Sequence, residues 1–191
     1  MDMACFVSCC FSNYNVDTMK NITFDLETLG NTSQAPIVQI GAVKFDENGD
    51  WESQFIRNIK MESLDRYNFH VDYRTVKWWL SQEDAAIKSV FCNEDEIDLR
   101  LALIEFHEWI GNPSKYAFWS HATFDPPILS NNIRQVGLDE FIPFRNHRDI
   151  RTLVHFSGKI DVEREGIHHN ALDDCLFQAK YIAEGLKRIN N

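Results

Sequence analysis

The segment Phe24-Asp25-Leu26-Glu27-Thr28-Leu29-Gly30 decides how the rest of the chain is read. The apolar run from Ile22 to Leu26 has the character of a buried strand end, and two carboxylates interrupt it at alternate positions. Side chains at i and i+2 of a strand leave the same face, so Asp25 and Glu27 are expected to project together from one side of a sheet. Like charges at that spacing repel, and burial makes each one costlier. A cation between them removes both penalties. Thr28 to Gly30 then turns the chain, with Gly30 supplying a permissive backbone. By itself an Asp-x-Glu triplet is more often a strand end with two solvated acids, so residues further along have to decide.

Working outward, Lys20 begins a three-strand meander. Ile37 to Phe45 is rich in β-formers, Asp46 to Asp50 is a turn centred on Asn48-Gly49, and Trp51 to Ile59 alternates as a third strand. Tyr73 to Leu80 reads as a helix, and Ser81-Gln82-Glu83-Asp84 has the form of a capping box opening a second one. Asp95 to Ile110 carries Ile97, Leu101, Leu103, Ile104, Phe106 and Ile110 at helical spacing, until Gly111-Asn112-Pro113 stops it. A strong helix after three strands implies a parallel addition to the sheet, and Lys115 to Ser120 is the candidate fourth strand.

Asp125 precedes Pro126-Pro127, and proline belongs in the first turn of a helix, so Asp125 is expected to be its N-cap. Ile128, Leu129, Ile133 and Val136 give that helix its apolar face, and Gly137 ends it. A fifth strand is expected within Phe141 to His147, then a short helix entered through Arg148-Asp149-Ile150-Arg151-Thr152 and closed by Gly158. Residues 159–167 read as a charged loop. The last helix spans Asn170 to Lys187, with Asn170 as N-cap and Asp173 at its third position, where an acid satisfies a helix start. Asp174 differs, because it follows Ala171 by three and precedes Gln178 by four, which puts a carboxylate on the inward stripe, where it requires a partner.

Bulk properties narrow the class. With 191 residues, 44% hydrophobic and 25% charged, the chain has the proportions of one soluble domain. No apolar run approaches membrane-spanning length, so no membrane partner is expected. Five cysteines, odd in number and without Cys-x-x-Cys spacing, suggest neither a zinc site nor a disulfide framework, and a cytoplasmic location fits best. The net charge of -10 argues against coating long nucleic acid, though not against gripping a chain end. Residues 1–18 differ in composition and read as an N-terminal extension, leaving 19–191 as the folded domain.

Asp25-x-Glu27, Asp125, and His169-x-Ala171-x-x-Asp174 thus arrive in order on a chain of three strands, helix, strand and closing helix. In this the sequence resembles the DEDD-type 3′–5′ exonucleases of the RNase T and DnaQ-like superfamily, in the subgroup with histidine in the last motif. The likeness extends to Gln39-Ile-Gly-Ala-Val43, Thr75-Val-Lys-Trp-Trp-Leu80, Arg148-Asp-Ile-Arg-Thr152 and His169-Asn-Ala-Leu-Asp-Asp174, which are similar to the bacterial and phage exoribonuclease family over about residues 19–187. One departure is Ser120-His121, where that family usually has small residues or Asn-Gly.

The resemblance implies an RNase H-like α/β fold: a mixed five-stranded sheet, its first three strands antiparallel, with helices on both faces. It implies that Asp25, Glu27, Asp125 and Asp174 hold two divalent cations. An all-oxygen ligand set favours Mg²⁺ or Mn²⁺ over zinc. Two such ions, about 3.5–4 Å apart, suit an in-line displacement, with His169 as general base. His168 has the wrong spacing to Asp174 for that role. The implied reaction releases nucleoside 5′-monophosphates from the 3′ end of single-stranded RNA or RNA overhangs. DNA is the alternative substrate, and a non-catalytic end-binding module is a third reading that the intact acid set disfavours. Thr28, Leu29, Trp78, Trp79, His121, Phe124, Arg148 and Arg151 are the candidate substrate contacts, with one tryptophan expected inside and one outside. A homodimer is left open.

Overall fold

The computed structural model describes residues 20–190, so the extension read over 1–18 lies outside the described residues. Five strands form one sheet: β1 (Lys20–Thr28), β2 (Ile37–Phe45), β3 (Trp51–Asn58), β4 (Tyr116–Ser120) and β5 (His147–Asp149). Their order is β3-β2-β1-β4-β5, with the first three antiparallel and β4 and β5 added parallel to β1. The helices are α1 (Tyr73–Trp79), α2 (Asp84–Phe91), α3 (Leu99–Ile110), α4 (Asp125–Gln135), α5 (Ile150–Ser157) and α6 (Ala171–Asn190).

Alternation along β1 sorts the molecule into two layers. Ile22, Phe24 and Leu26 are buried against Leu103 and Phe106 of α3 and Ile128 and Leu129 of α4. Each large apolar side chain so buried is worth about 1.5–3 kcal/mol. Thr23, Asp25 and Glu27 face the opposite layer, where Val43, Phe45, Ala117 and Trp119 pack on Ile150 and Leu153 of α5 and Cys175, Ala179 and Ile182 of α6. Helices therefore cover both faces, and the acid pair of β1 points under α6. Buried Asn132 ties α4 to the sheet: its amide accepts from Ile37 N at 3.2 Å and donates to Ala35 O at 2.9 Å.

Where α6 lands is decided by β2. A Cβ added at Gly41 would run into the backbone of Ala171 and Leu172, so only glycine lets the first turn of α6 sit on the strand. Gly41 lies directly opposite Asp25 in the antiparallel register. Next to it, Gln39 accepts from Ala171 N at 2.8 Å, satisfying one of the orphan amides of the helix start. The same side chain donates to Asn58 and to Ser89 O, which anchors it.

Several local expectations are corrected. Ser81 does not open a capping box; its hydroxyl donates back to Trp78 O at 2.7 Å, finishing α1, and α2 begins after Glu83 without a side-chain cap. The third helix starts at Leu99 rather than Asp95, because Ile97 is held in a parallel bridge with Ile59 and Asp98 caps the helix. The fifth strand is only His147–Asp149, preceded by a 3₁₀ turn at Phe144–Asn146. Asp125 is the first residue of α4 and not its N-cap. Pro126 and Pro127 leave only the Ile128 amide for a cap at this position, and it bonds to Phe124 O at 3.3 Å, so the Asp125 side chain turns elsewhere. Asn170 does cap α6, accepting from Leu172 N and Asp173 N at 3.1 Å.

Gly41→Ala is expected to cost roughly 1–3 kcal/mol by overpacking, with loss of activity as α6 lifts away from β1. Urea unfolding beside a turnover assay checks this, and unchanged values in both would remove Gly41 from its place in the argument.

Candidate active site

A cleft of about 690 Å³ opens over the end of β1. Asp25, Glu27, Thr28, Trp78, Trp79, His121, Phe124, Arg151, His169 and Asp174 all line it. Asp125, 1% exposed, is buried beside them. Three separate elements deliver the acids: β1 brings Asp25 and Glu27, the start of α4 brings Asp125, and the first turn of α6 brings Asp174. The register slips between Glu27 and Thr28, ending regular pairing where the cleft begins.

The acids are only partly satisfied by protein. Gln178 donates to Asp25 Oδ1 at 3.1 Å and accepts from the Thr23 hydroxyl at 2.7 Å, which fixes its orientation. Asp125 Oδ2 accepts from His121 N at 2.9 Å, while Asp125 Oδ1 is buried with no hydrogen-bond partner among the described residues. Asp174 forms an ion pair with Arg164, from the loop before α6. Asp149 holds the β4–α4 connection by accepting from Ala122 N at 3.1 Å.

Burial pushes all four carboxyls upward, and repulsion from the other acids adds to it at Asp25 and Glu27. Burial is the largest cause at Asp25, followed by Asp125, Glu27 and Asp174. Glu27 rises to about 8, again through burial and then Asp174 and Asp125. Asp125 rises to about 7 by burial, although the backbone amides around it draw the other way. Asp174 is raised by burial, against the pull of Arg164. Such a cluster resists full ionisation unless positive charge enters it. A buried all-oxygen set with one unsatisfied carboxylate oxygen fits hard divalent cations. Ligand atoms of Glu27, His169 and Asp174 lie within 4.8 Å of one another.

His169 is the one non-glycine with positive φ, 63°, among the described residues. Strain of this kind collects at functional positions. It turns the imidazole to the cleft, where the Trp78 and Trp79 rings meet it edge-on at centroid distances of 4.8 and 6.2 Å. Burial, then His168 and Arg164, lower its pKa, which keeps the ring neutral near pH 7. The His168 ring lies tilted beside it at 57°, ring centroids 3.9 Å apart, and also reaches the cleft.

The tryptophans divide as expected: Trp79 is 3% exposed and Trp78 41%. Trp79 Nε1 donates to Thr28 O at 3.0 Å, joining α1 to the end of β1. Two of the candidate substrate contacts are not brought to the cleft. Leu29 is in the core, and the Arg148 guanidinium donates to the carbonyls of Arg145 and His147. Sequence reasoning missed the bonds of Gln178 and Gln39 and the ion pair of Arg164. Gln178 had a signal in its spacing of four from Asp174, whereas a loop arginine carries none.

The fold is RNase H-like. Residues 20–186 match the 3′–5′ exoribonuclease Rv2179c-like domain, and the chain belongs to that family. It is 27% identical over 161 residues to an exodeoxyribonuclease of Enterobacteria phage T4, with 71% of each chain covered. Among solved structures, E. coli exonuclease I in complex with a dA16 oligonucleotide is similar at a TM-score of 0.61 and 12% identity, covering 88% of this chain and 41% of that one. A moderately thermophilic exonuclease I from Methylocaldum szegediense gives a TM-score of 0.62 at 12% identity, covering 86% of this chain and 40% of that one. The chain thus spans about two-fifths of those exonuclease I chains.

The raised carboxyls make a pH prediction for the metal-free protein. A carboxyl whose folded-state pKa exceeds its unfolded one binds extra protons in the native state, so stability falls as pH rises between the two values. The window runs from the ordinary carboxyl range up to about 8, the value for Glu27. In EDTA, Tm should drop by about 5 °C or more between about pH 5 and pH 8.5, at roughly 2–4 °C per kcal/mol for a domain of this size. Mn²⁺ should reduce the drop. A flat or rising profile in EDTA would contradict the cluster's electrostatics.

Proposed function

We propose that this chain is a metal-dependent 3′–5′ exonuclease that releases nucleoside 5′-monophosphates from the 3′ end of single-stranded RNA or RNA overhangs. The observation that carries the reading is the convergence of Asp25, Glu27, Asp125 and Asp174 with His169 in one aromatic-walled cleft. The match to an exoribonuclease family supports RNA. DNA remains the second reading, favoured by the phage relative named as an exodeoxyribonuclease.

Asp25, Glu27, Asp125 and Asp174 would hold two divalent cations, Mg²⁺ or Mn²⁺, which when bound supply neutralising charge for a phosphodiester and a more acidic water. The protein's own groups do the rest. Trp78 and Phe124 offer apolar surfaces for the terminal bases, and stacking on them tolerates any sequence. Gln178 keeps Asp25 in place through its bond to Thr23. Neutral His169 takes a proton from the attacking water. The water oxygen bonds to phosphorus as the bond from phosphorus to the penultimate 3′-oxygen breaks, and that oxygen regains a proton from solvent. The terminal nucleoside leaves with its 5′-phosphate.

Matched 5′-labelled RNA and DNA oligonucleotides incubated with Mg²⁺ or Mn²⁺ test substrate and direction together. A ladder shortening from the 3′ end, faster on RNA, is the expected result; faster shortening of DNA would select the second reading. His169→Ala should lose roughly 10²–10⁴-fold in kcat with metal affinity kept, and with the acid limb of the pH profile gone. His168→Ala is the control, and a larger loss there would move the base to that residue.

The tryptophans should separate by their burial. Trp78→Ala is expected to raise KM for oligonucleotides more than it lowers kcat. Trp79→Ala should instead destabilise the fold by about 3–5 kcal/mol. Denaturation of both variants and steady-state kinetics on the folded one decide the assignment; an unchanged KM in Trp78→Ala would take that ring out of the substrate path.

A further inference from the structure

The charged loop before the last helix is fastened along α6. The Asp173 carboxylate accepts from Ile167 N at 2.7 Å. Gly166 lies against that carboxylate, at φ 85°, with no room for a side chain: an added Cβ would stand 2.6 Å from Asp173 Cγ. Glu165 meets Lys180 at 3.5 Å on the surface. Arg164 instead turns inward, its guanidinium 4.9 Å from the centroid of Phe177, and pairs with Asp174. The two ion pairs differ in setting. Side-chain exposure is 32% and 14% for Arg164 and Asp174, against 49% and 79% for Lys180 and Glu165. The loop therefore delivers a cation to one specific member of the acid cluster, and does so from a pinned backbone.

We propose that Arg164 is a built-in counter-ion that competes with a divalent cation for Asp174, so that metal loading is coupled to the 159–167 loop. The inference rests on Asp174 being a metal ligand, as read above. Arg164 engages Asp174 Oδ1. A guanidinium and a divalent cation seek the same carboxylate lone pairs, and their own charges repel at that range. Measured metal affinity is then the intrinsic affinity reduced by the work of parting the pair. Asp173 acquires a role from the same geometry: it holds the loop that positions Arg164, while Asp174 faces the cleft.

Calorimetric titration of Mn²⁺ into the full chain, without substrate, tests this on wild type, Arg164→Gln and Lys180→Gln. Arg164→Gln should bind Mn²⁺ roughly 3–10-fold tighter, the range of a partly exposed ion pair. It should also melt lower in EDTA and gain more from Mn²⁺ than wild type does. Lys180→Gln removes the same unit charge from a neighbouring contact of the loop, and should change affinity by less than about two-fold. Equal shifts in both variants, or unchanged or weaker binding in Arg164→Gln, would overturn the proposal. If Arg164→Gln does not fold in EDTA, amide exchange over 159–167 in wild type decides: Mn²⁺ should speed it, and no change counts against the coupling. A wild type that binds no Mn²⁺ would remove the metal reading itself, and this inference with it.

Discussion

Four carboxylates drawn from three elements repel one another in a poorly solvated pocket, and the rest of the architecture is arranged around that repulsion. Burial is the leading cause of the upward shift at each. Left alone, the cluster would push β1, α4 and α6 apart. What opposes it is steric and directional. Gly41 lets α6 lie on β2 opposite Asp25, and Gln39 takes up an amide of the helix start. Gln178 spans from Thr23 to Asp25, and the His121 amide holds Asp125. None of these contacts neutralises charge, so they position the acids without removing the demand for cations. Arg164 forms the only ion pair with one of the four acids among the described residues, while the Arg151 charge acts on Asp125 without pairing with it.

The wall of the cleft is made the same way, from groups that belong partly to the core. Trp79 is buried among the residues of the larger apolar layer, yet its indole nitrogen bonds to Thr28 O and its ring edges against His169. Folding of α1 onto the sheet is thus what frames the histidine. The cost of the left-handed backbone at His169 is carried by this frame and by the Asn170 cap that follows. The neutral state of the imidazole follows from its setting, since burial, and then the neighbouring His168 and Arg164 side chains, disfavour a proton there.

Much of this was legible in the sequence because it depends on periodicity. The alternation of β1 placed Asp25 and Glu27 on one face, and helical spacing placed Asp174 inward; both hold. Readings failed where one short motif had two uses. Ser81 closes α1 instead of opening α2, since the last carbonyls of one helix compete with the first amides of the next. Ile97 fits the helical stripe but is claimed by a bridge to β3. Asp125 looked like a cap, but the two prolines that suggested it leave only the Ile128 amide, which bonds to Phe124 O instead. Leu29 and Arg148 sit beside site residues in sequence and point away from them in space.

The sequence by itself determined the strand that bears the acid pair and the inward face of the helix that bears Asp174, whereas the whole fold and the place of Asp125 among the acids were what the family resemblance implied. The first two follow from side-chain periods and from the cost of burying charge, which are properties of segments. Tertiary structure alone decided that Gly41 must be glycine, that Gln178 and Gln39 serve the site, and that Arg164 meets Asp174. Each of those depends on where one segment lands on another. Gln39 and Ala171 are 132 positions apart and Gln178 and Asp25 are 153 apart. No local pattern records a meeting at that range, because it is created only when the sheet and α6 close on each other.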